Sequence, residues 1–218
     1  MLVHVKKIIS KAERGGYAVG AFNVNNLEII AAVLNAAEKL KSPVIIQTTE
    51  GAIEYAGLEE LVALVKAAAA DLKVPVALHL DHGHDFELIK KCIEYGYSSV
   101  MIDASDKPFK KNIALVKKVV NYAHKRQVWV QAELGRLEGS EDWIKVGQKD
   151  VYLTEPEEAK DFVKQTGVDT FAPAIGNYHG VGKIINKKVL KLDLKRLEKI
   201  DKLVKVPLVL HGASGFPD

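Results

Sequence analysis

The chain has 218 residues, 48% of them hydrophobic and 27% charged, with a formal net charge of +3 at pH 7. This composition is typical of a soluble globular protein. Without an arginine-rich arm or basic stripe it predicts no nucleic-acid partner, and without an apolar run near ~18 residues it predicts no membrane helix. The single cysteine, Cys92, excludes an intrachain disulfide, and the N-terminus has no signal-peptide core. We therefore expect a cytoplasmic protein.

Short β-rich runs alternate with longer helical patterns along the whole chain. Seven runs predict strands: residues 17–24, 43–49, 74–80, 98–103, 127–133, 168–175 and 206–212. Between them, stretches such as LEIIAAVLNAAEKLK and KNIALVKKVVNYAHKR repeat apolar residues three and four positions apart, which predicts helices with one buried face. Apolar strands separated by helices indicate a parallel sheet covered by helices. No linker or composition break interrupts the pattern, so one domain over residues 1–218 is the simplest interpretation.

Two parallel α/β folds fit this pattern, and the position of the polar residues distinguishes them. A (β/α)8 barrel needs eight strands to close, whereas an open doubly wound sheet does not. Polar residues and glycine stand at or just past nearly every predicted strand end: Asn23, Thr49, Asp81, His82, Asp103, Glu133, His179, His211 and Gly212. An open sheet gathers such groups at one switch point, whereas a barrel arranges them in a ring. The sequence therefore predicts a TIM barrel whose eighth strand is absent from this chain.

Three histidines, His82, His179 and His211, stand in this set and each is followed by glycine. A catalytic zinc ion takes three protein ligands, commonly histidines, and keeps one position open. The three have no short ligand spacing such as HExxH, so only their placement after strands connects them. Taken separately, each is more readily a helix cap or a surface residue. Taken together, they indicate a zinc site.

The glycines beside these histidines suggest a second ligand. Glycine allows a ligand to approach backbone N–H groups closely, and successive N–H groups can form a nest for a phosphate. The segments NYHGVGK and HGASG have this composition, and Lys183 adds positive charge. The alternative is a set of tight turns at strand ends. Their position beside the histidines favours a phosphorylated ligand next to a metal.

The combined motifs resemble those of class II, metal-dependent fructose-bisphosphate aldolases, including the tagatose-bisphosphate enzymes. The matching segments are GAFNVNN, IIQTTEGAIEYAG, VALHLDHG, SVMIDAS, AELGRLEGSED, PAIGNYHGVGK and PLVLHGASG, in family order over essentially the whole chain. The resemblance implies a TIM barrel that cleaves fructose 1,6-bisphosphate to dihydroxyacetone phosphate and glyceraldehyde 3-phosphate in glycolysis or gluconeogenesis. It also implies a homodimer or homotetramer. The alternatives are a tagatose-bisphosphate aldolase and a non-catalytic relative that binds metal and phosphate.

The resemblance also implies roles for single residues. It assigns His82, His179 and His211 as zinc ligands, and it places Glu133 and Asp103 near a second divalent cation or an alternative zinc position. Polar substrate positions match Asn23 and Thr49. The cradle for the ketose phosphate and a monovalent cation, Na⁺ or K⁺, matches Gly180, Lys183, Gly212 and Ser214.

Two acidic residues match proton-transfer groups of the family. Asp81 would remove the C4 hydroxyl proton, and Glu141 would protonate C3 of the enediolate after the C3–C4 bond breaks. Zinc would stabilise the enediolate charge as a Lewis acid, so no Schiff-base lysine is needed. Without the resemblance, a helix N-cap is the better interpretation of Asp81 and Asp103, and a solvated loop charge that of Glu141.

The sequence departs from the family pattern in several places. Relatives continue beyond HGASGFPD with an eighth strand. Within the chain, Glu138 stands where the family has a loop glycine, and Asn177-Tyr178 stand where small hydroxylated residues are common. His79 and His84 match no family role. An open barrel exposes two strand edges, so we expect little activity from the 218 residues alone. The chain is then an aldolase represented without its C-terminal part, a short relative that binds without catalysis, or a module completed by a partner; we favour the first.

Overall fold

A computed structural model of the chain describes residues 1–136, 138–141, 144–147, 151–179, 184–185, 188–189 and 191–214, with backbone alone for 138–141, 144–146, 184–185 and 188–189. The helices are α1 Val5–Gly15, α2 Leu27–Leu40, α3 Glu50–Ala56, α4 Leu58–Ala69, α5 Phe86–Glu94, α6 Phe109–His124, α7 Pro156–Thr166 and α8 Leu194–Leu203. The strands are β1 Ala21–Asn23, β2 Val44–Thr48, β3 Val76–Gly83, β4 Ser99–Ile102, β5 Trp129–Leu134, β6 Glu138–Glu141, β7 Ile144–Val146, β8 Thr170–Pro173, β9 Tyr178–His179, β10 Ile184–Ile185 and β11 Lys188–Val189.

The chain divides into two compact units. Unit 1 comprises residues 1–102 and 119–130, and unit 2 comprises residues 103–118 and 131–218. The sequence predicts a single domain without a linker, and that interpretation stays a prediction. The α/β class, with parallel strands alternating with helices, is confirmed in both units.

The sheet of unit 1 is parallel and has the order β1-β2-β3-β4. Every residue of β2, β3 and β4 is buried, whereas the residues of β1 are exposed. Because both faces of the inner strands are covered, β2 and β3 each begin with three consecutive apolar residues rather than an alternating pattern. The N–H of Trp129 donates to the Ser98 carbonyl at 3.1 Å, so β5 begins beside β4.

Helices cover this sheet, and polar side chains fix where several of them begin. Asn26, Thr49 and Asp85 each accept a backbone N–H in the first turn of α2, α3 and α5, which satisfies donors that a helix leaves free. Helix α1 also packs on the sheet, where Val5 and Ile8 form an apolar cluster with Ile45 of β2 and Ala77 of β3. The three helix caps follow the ends of β1, β2 and β3 within three residues, close in sequence to the polar residues of these strand ends.

Unit 2 pairs the end of β5 with β8 in parallel, in a register that sets Glu133 opposite Ala172. The rings of Phe162 from α7 and Phe171 from β8 lie 5.9 Å apart. The guanidinium of Arg196 in α8 donates to the Glu155 carboxylate at 2.9 Å, next to the start of α7. The unit therefore combines an apolar core with polar contacts between helix ends.

The last predicted strand, residues 206–212, is not a strand in the structure. Leu208 forms a single parallel bridge with Phe171, through Phe171 N–H to the Pro207 carbonyl at 3.0 Å and Val209 N–H to the Phe171 carbonyl at 2.9 Å. The prediction was wrong here because an apolar run shows burial but does not show how many of its residues find a bonded neighbour. The short strands β6, β7 and β9 to β11 were not predicted.

Candidate active site

Strand β3 runs three residues beyond the predicted strand end at residue 80 and therefore includes Asp81 and His82. Between Leu80 and Gly83 the strand has one more residue than β4 has between Val100 and Ile102, which makes a β-bulge. His82 has φ of 45°, in the left-handed region that few non-glycine residues adopt. Bulges and such backbone angles concentrate at functional sites, where they redirect a side chain. Both side chains are buried.

Gly83 closes the bulge because no side chain fits there. A Cβ atom at this position would lie 2.7 Å from the Met101 carbonyl oxygen and 2.9 Å from Cδ2 of Leu80. The backbone of Gly83 therefore packs directly against β4, and this contact fixes the position of the residue that follows His82.

The carboxylate of Asp81 is oriented by two neighbours in unit 1. The Asn23 amide donates to Oδ2 of Asp81 at 2.8 Å, and Nε2 of His82 lies 3.9 Å from Oδ1 of Asp81. A buried carboxylate that accepts an amide hydrogen bond is held in one orientation, as an acid–base group requires. The sequence prediction that Asn23 and Asp81 share a site is thus compatible with this contact.

His79 lies on the same strand, two residues before Asp81, and is also buried. Its Nδ1 is 2.8 Å from the Ser99 hydroxyl, and among the described residues its Nε2 has no hydrogen-bond partner. Burial lowers the pKa of His79 from 6.5 to about 4, against the opposing effect of the Asp81 carboxylate. At neutral pH the ring is therefore an uncharged, buried polar group.

The stability of the protein should fall as the pH is lowered from 7 to 4. The unfolded chain protonates His79 near pH 6.5, whereas the folded protein resists protonation until about pH 4, so acid favours the unfolded state. One pKa unit corresponds to about 1.4 kcal/mol, so His79 accounts for about 3 kcal/mol of the loss. Urea denaturation of wild type and His79→Gln across this range measures it. Identical pH dependence in the two proteins would contradict the assignment.

Glu50 holds the loop that follows His82, a contact that the sequence did not predict. Its Oε1 accepts the backbone N–H groups of His84 at 2.7 Å and Asp85 at 2.9 Å. Two hydrogen bonds to one carboxylate fix the path of this loop. His84 therefore has a defined backbone contact, and Glu50 could have been suspected only from its place in the first turn after β2.

Two predicted site residues accept nearby backbone N–H groups. Thr49 caps α3 by accepting the Ala52 N–H at 3.2 Å, a contact that the sequence analysis did not predict. Asp103 accepts the Ser105 N–H at 2.9 Å in a turn before α6, which begins only at Phe109, so the helix-cap alternative for Asp103 was wrong. The predicted substrate role of Thr49 and the predicted metal role of Asp103 stay predictions.

Unit 2 brings His179 and His211 together beside a carboxylate. The two rings are 6.0 Å apart between centroids, and Nδ1 of His211 lies 3.8 Å from Oε2 of Glu133. Nε2 of Gln131 is 2.6 Å from Nε2 of His211. Glu133 and His211 are buried, and His179 is half-buried. Two imidazoles and a carboxylate in this arrangement match the donor set that zinc and related divalent ions prefer.

That His82, His179 and His211 bind one metal stays a prediction of the sequence; His179 and His211, both in unit 2, each offer one ring nitrogen. Within unit 2, the donor nitrogens of His179 and His211 are no more than 4.8 Å apart. The chemistry of these donors fits a divalent metal, with imidazole as the common ligand.

The remaining predicted site residues are placed only in part. Gly180 and Lys183 lie outside the described residues. Glu141 ends β6, and its side chain lies outside the described part of the structure. Gly212 has φ of 57° in the turn after His211, and Ser214 is exposed in that turn.

Comparison with known proteins identifies the family. The model of the class II fructose-bisphosphate aldolase family matches residues 3–218. The chain belongs to the class II fructose-bisphosphate aldolase family. It is therefore an aldolase, a carbon–carbon lyase, as the motifs predicted. The chain is 49% identical to a fructose-bisphosphate aldolase of Helicobacter pylori (strain ATCC 700392 / 26695), over 100% of the chain and 71% of that relative.

Other relatives give the same result. A fructose-bisphosphate aldolase of Thermus caldophilus is 49% identical over 100% of this chain and 70% of its own length. Among solved structures, the YdjI aldolase of Escherichia coli K12 matches with a TM-score of 0.85 and 35% identity, over 100% of this chain and 74% of that one. A fructose-bisphosphate aldolase of Campylobacter jejuni matches with a TM-score of 0.77 and 26% identity, over 98% of this chain and 71% of that one. The aldolase fold predicted from the motifs is thus supported independently of the sequence pattern.

In the part of the chain that the structure describes, every helix is too short or too polar to cross a bilayer.

Proposed function

We propose that the chain is a zinc-dependent aldolase that reversibly cleaves fructose 1,6-bisphosphate to dihydroxyacetone phosphate and glyceraldehyde 3-phosphate. The observation that supports it most is the pair His179 and His211 beside Glu133, in a chain of the class II family. The fructose-bisphosphate aldolases of Helicobacter pylori and Thermus caldophilus supply the substrate class by analogy.

Three imidazoles would hold the metal in this proposal, from His82, His179 and His211. Zinc suits three histidine ligands with one open position, where it would polarise a substrate oxygen as a Lewis acid. The carboxylates of Glu133 and Asp103 are proposed to serve a second divalent cation or an alternative zinc position. His211 is restrained by Gln131, and Glu133 by the Asn112 amide, which donates to its backbone carbonyl at 3.1 Å.

Asp81 is proposed to transfer the proton of the C4 hydroxyl. Its carboxylate is held by Asn23, so one geometry is maintained while the C3–C4 bond breaks and the electron pair passes to the ketose fragment. Glu141 is proposed to return a proton to C3 of that fragment. The two groups together leave the proton count of the cleavage balanced.

The remaining site residues are proposed to bind the ketose phosphate and a monovalent cation, Na⁺ or K⁺. Glycine N–H groups and one lysine suit a phosphate, and the residues proposed for the phosphate and the cation are Gly180, Lys183, Gly212 and Ser214. Asn23 and Thr49 are proposed to contact the substrate as polar groups. We also propose a cytoplasmic homodimer or homotetramer with a role in glycolysis or gluconeogenesis, and the (β/α)8 barrel as the fold of the complete enzyme.

A coupled assay of the purified protein tests this function. We expect the complete enzyme, reconstituted with zinc, to release dihydroxyacetone phosphate from fructose 1,6-bisphosphate, and the chelator-treated enzyme to release none until zinc returns. Faster cleavage of tagatose 1,6-bisphosphate would move the assignment to the tagatose enzymes. Protein that binds zinc and cleaves neither sugar would support the non-catalytic alternative, and cleavage that resists complete metal removal would contradict the proposal.

A further inference from the structure

Asn177 lies in the loop after β8, two residues before His179, and only 3% of it is exposed. Its Oδ1 accepts the backbone N–H of Ile175 at 2.8 Å. Its Nδ2 donates to the backbone carbonyl of His211 at 2.9 Å, across 34 residues of sequence. Both ends of the amide are therefore used, one on each of the two segments that carry a candidate ligand.

The same two segments are in direct contact at the next residues. Gly212 has φ of 57°, and a Cβ atom there would meet the Tyr178 carbonyl, lying 2.7 Å from its carbon and 3.0 Å from Cδ2 of His179. The backbone after His211 thus packs against the backbone that leads into His179. Asn177 supplies the side-chain hydrogen bond that joins them.

We propose that Asn177 is a positioning residue that fixes His211 relative to His179 and so preorganises the metal site. The inference rests on the proposed metal-binding function. It follows from the chemistry of the amide, which offers an acceptor and a donor in one rigid plane. A carboxylate has no donor for the His211 carbonyl, and alanine has neither group. Residues that orient metal ligands from outside the coordination shell typically change metal affinity 10–100-fold.

The test is the zinc affinity of Asn177→Asp, measured by competition with a chromophoric chelator. Aspartate keeps the acceptor for Ile175 but sets a second oxygen against the His211 carbonyl, so we expect the zinc dissociation constant to rise about 10–100-fold. The absorption spectrum of the cobalt-substituted protein should change as well, because it reports ligand geometry. Asn177→Ser serves in the same assay if Asn177→Asp does not fold.

Thr166→Val is the matched control. Thr166 is also buried in unit 2, and its hydroxyl donates to the Phe162 carbonyl at 2.7 Å, within α7 and remote in sequence from the ligands. Thr166→Val should lower the free energy of unfolding and leave the zinc affinity and the absorption spectrum of the cobalt-substituted protein unchanged. Folded Asn177 variants with wild-type affinity would overturn the inference, as would an equal loss in Thr166→Val. Wild-type protein that binds no zinc would instead contradict the proposed function itself.

Discussion

His179→Ala should reduce the zinc content of the protein from about one ion per chain to nearly none, since a catalytic zinc site has only three protein ligands. His179 is half-buried, so its removal leaves less of a core cavity than removal of the buried His211 would. Metal analysis after dialysis against metal-free buffer measures the content, and far-UV circular dichroism verifies the fold.

His124→Ala is the control for this experiment, because His124 is an exposed histidine at the end of α6. It should keep the wild-type zinc content. Equal zinc content in wild type and His179→Ala would remove His179 from the ligand set. A loss in both variants would point to nonspecific binding by surface histidines.

The repeating framework of the fold could be predicted from the sequence because it depends on local patterns. Apolar residues three and four apart predicted α2 and α6, and the runs at 43–49 and 98–103 predicted β2 and β4, each within a few residues. A helix face and a buried strand both leave a periodic signal in the sequence. The placement of three histidines after predicted strands indicated a zinc site, and the family motifs then assigned them as its ligands.

Features that depend on tertiary contact could not be predicted. The pattern placed the end of β3 before Asp81 because polar residues usually end an apolar strand, yet a bulge carries the strand through His82 to Gly83. The run at 206–212 was apolar enough for a strand but bonds only around Leu208. Pairing partners decide both outcomes, and they are distant in sequence.

The contacts that support the candidate ligands are also long-range. Gln131 contacts His211 across 80 residues, and Asn177 reaches it across 34. Gln131 had one detectable signal, since alternation along β5 sets it on the same face as Glu133. Asn177 had a signal in its departure from the family pattern beside His179, but its hydrogen bond to the His211 carbonyl depends on a contact that the sequence does not show.

In the complete enzyme, Asp81→Asn should lower the rate of cleavage by about 10²–10⁴-fold, the range typical of a lost acid–base group. The amide has the same shape as the carboxylate, so the change leaves β3 and its bulge in place. What is lost is the group that removes a proton from the C4 hydroxyl. Zinc content should stay at the wild-type level, because Asp81 is proposed to move a proton and His82 to bind the metal.

Asp85→Asn is the matched control for this change. Asp85 caps α5 by accepting the N–H groups of Glu87 and Leu88, and asparagine caps a helix about as well as aspartate. The control therefore removes a carboxylate four residues away without altering the fold or the proposed chemistry.

Initial rates with fructose 1,6-bisphosphate, together with metal analysis of each protein, separate a loss of turnover from a loss of zinc. If Asp81→Asn kept a rate within twofold of Asp85→Asn, a different group would have to transfer the C4 proton. If it lost zinc along with turnover, Asp81 would belong to the metal site.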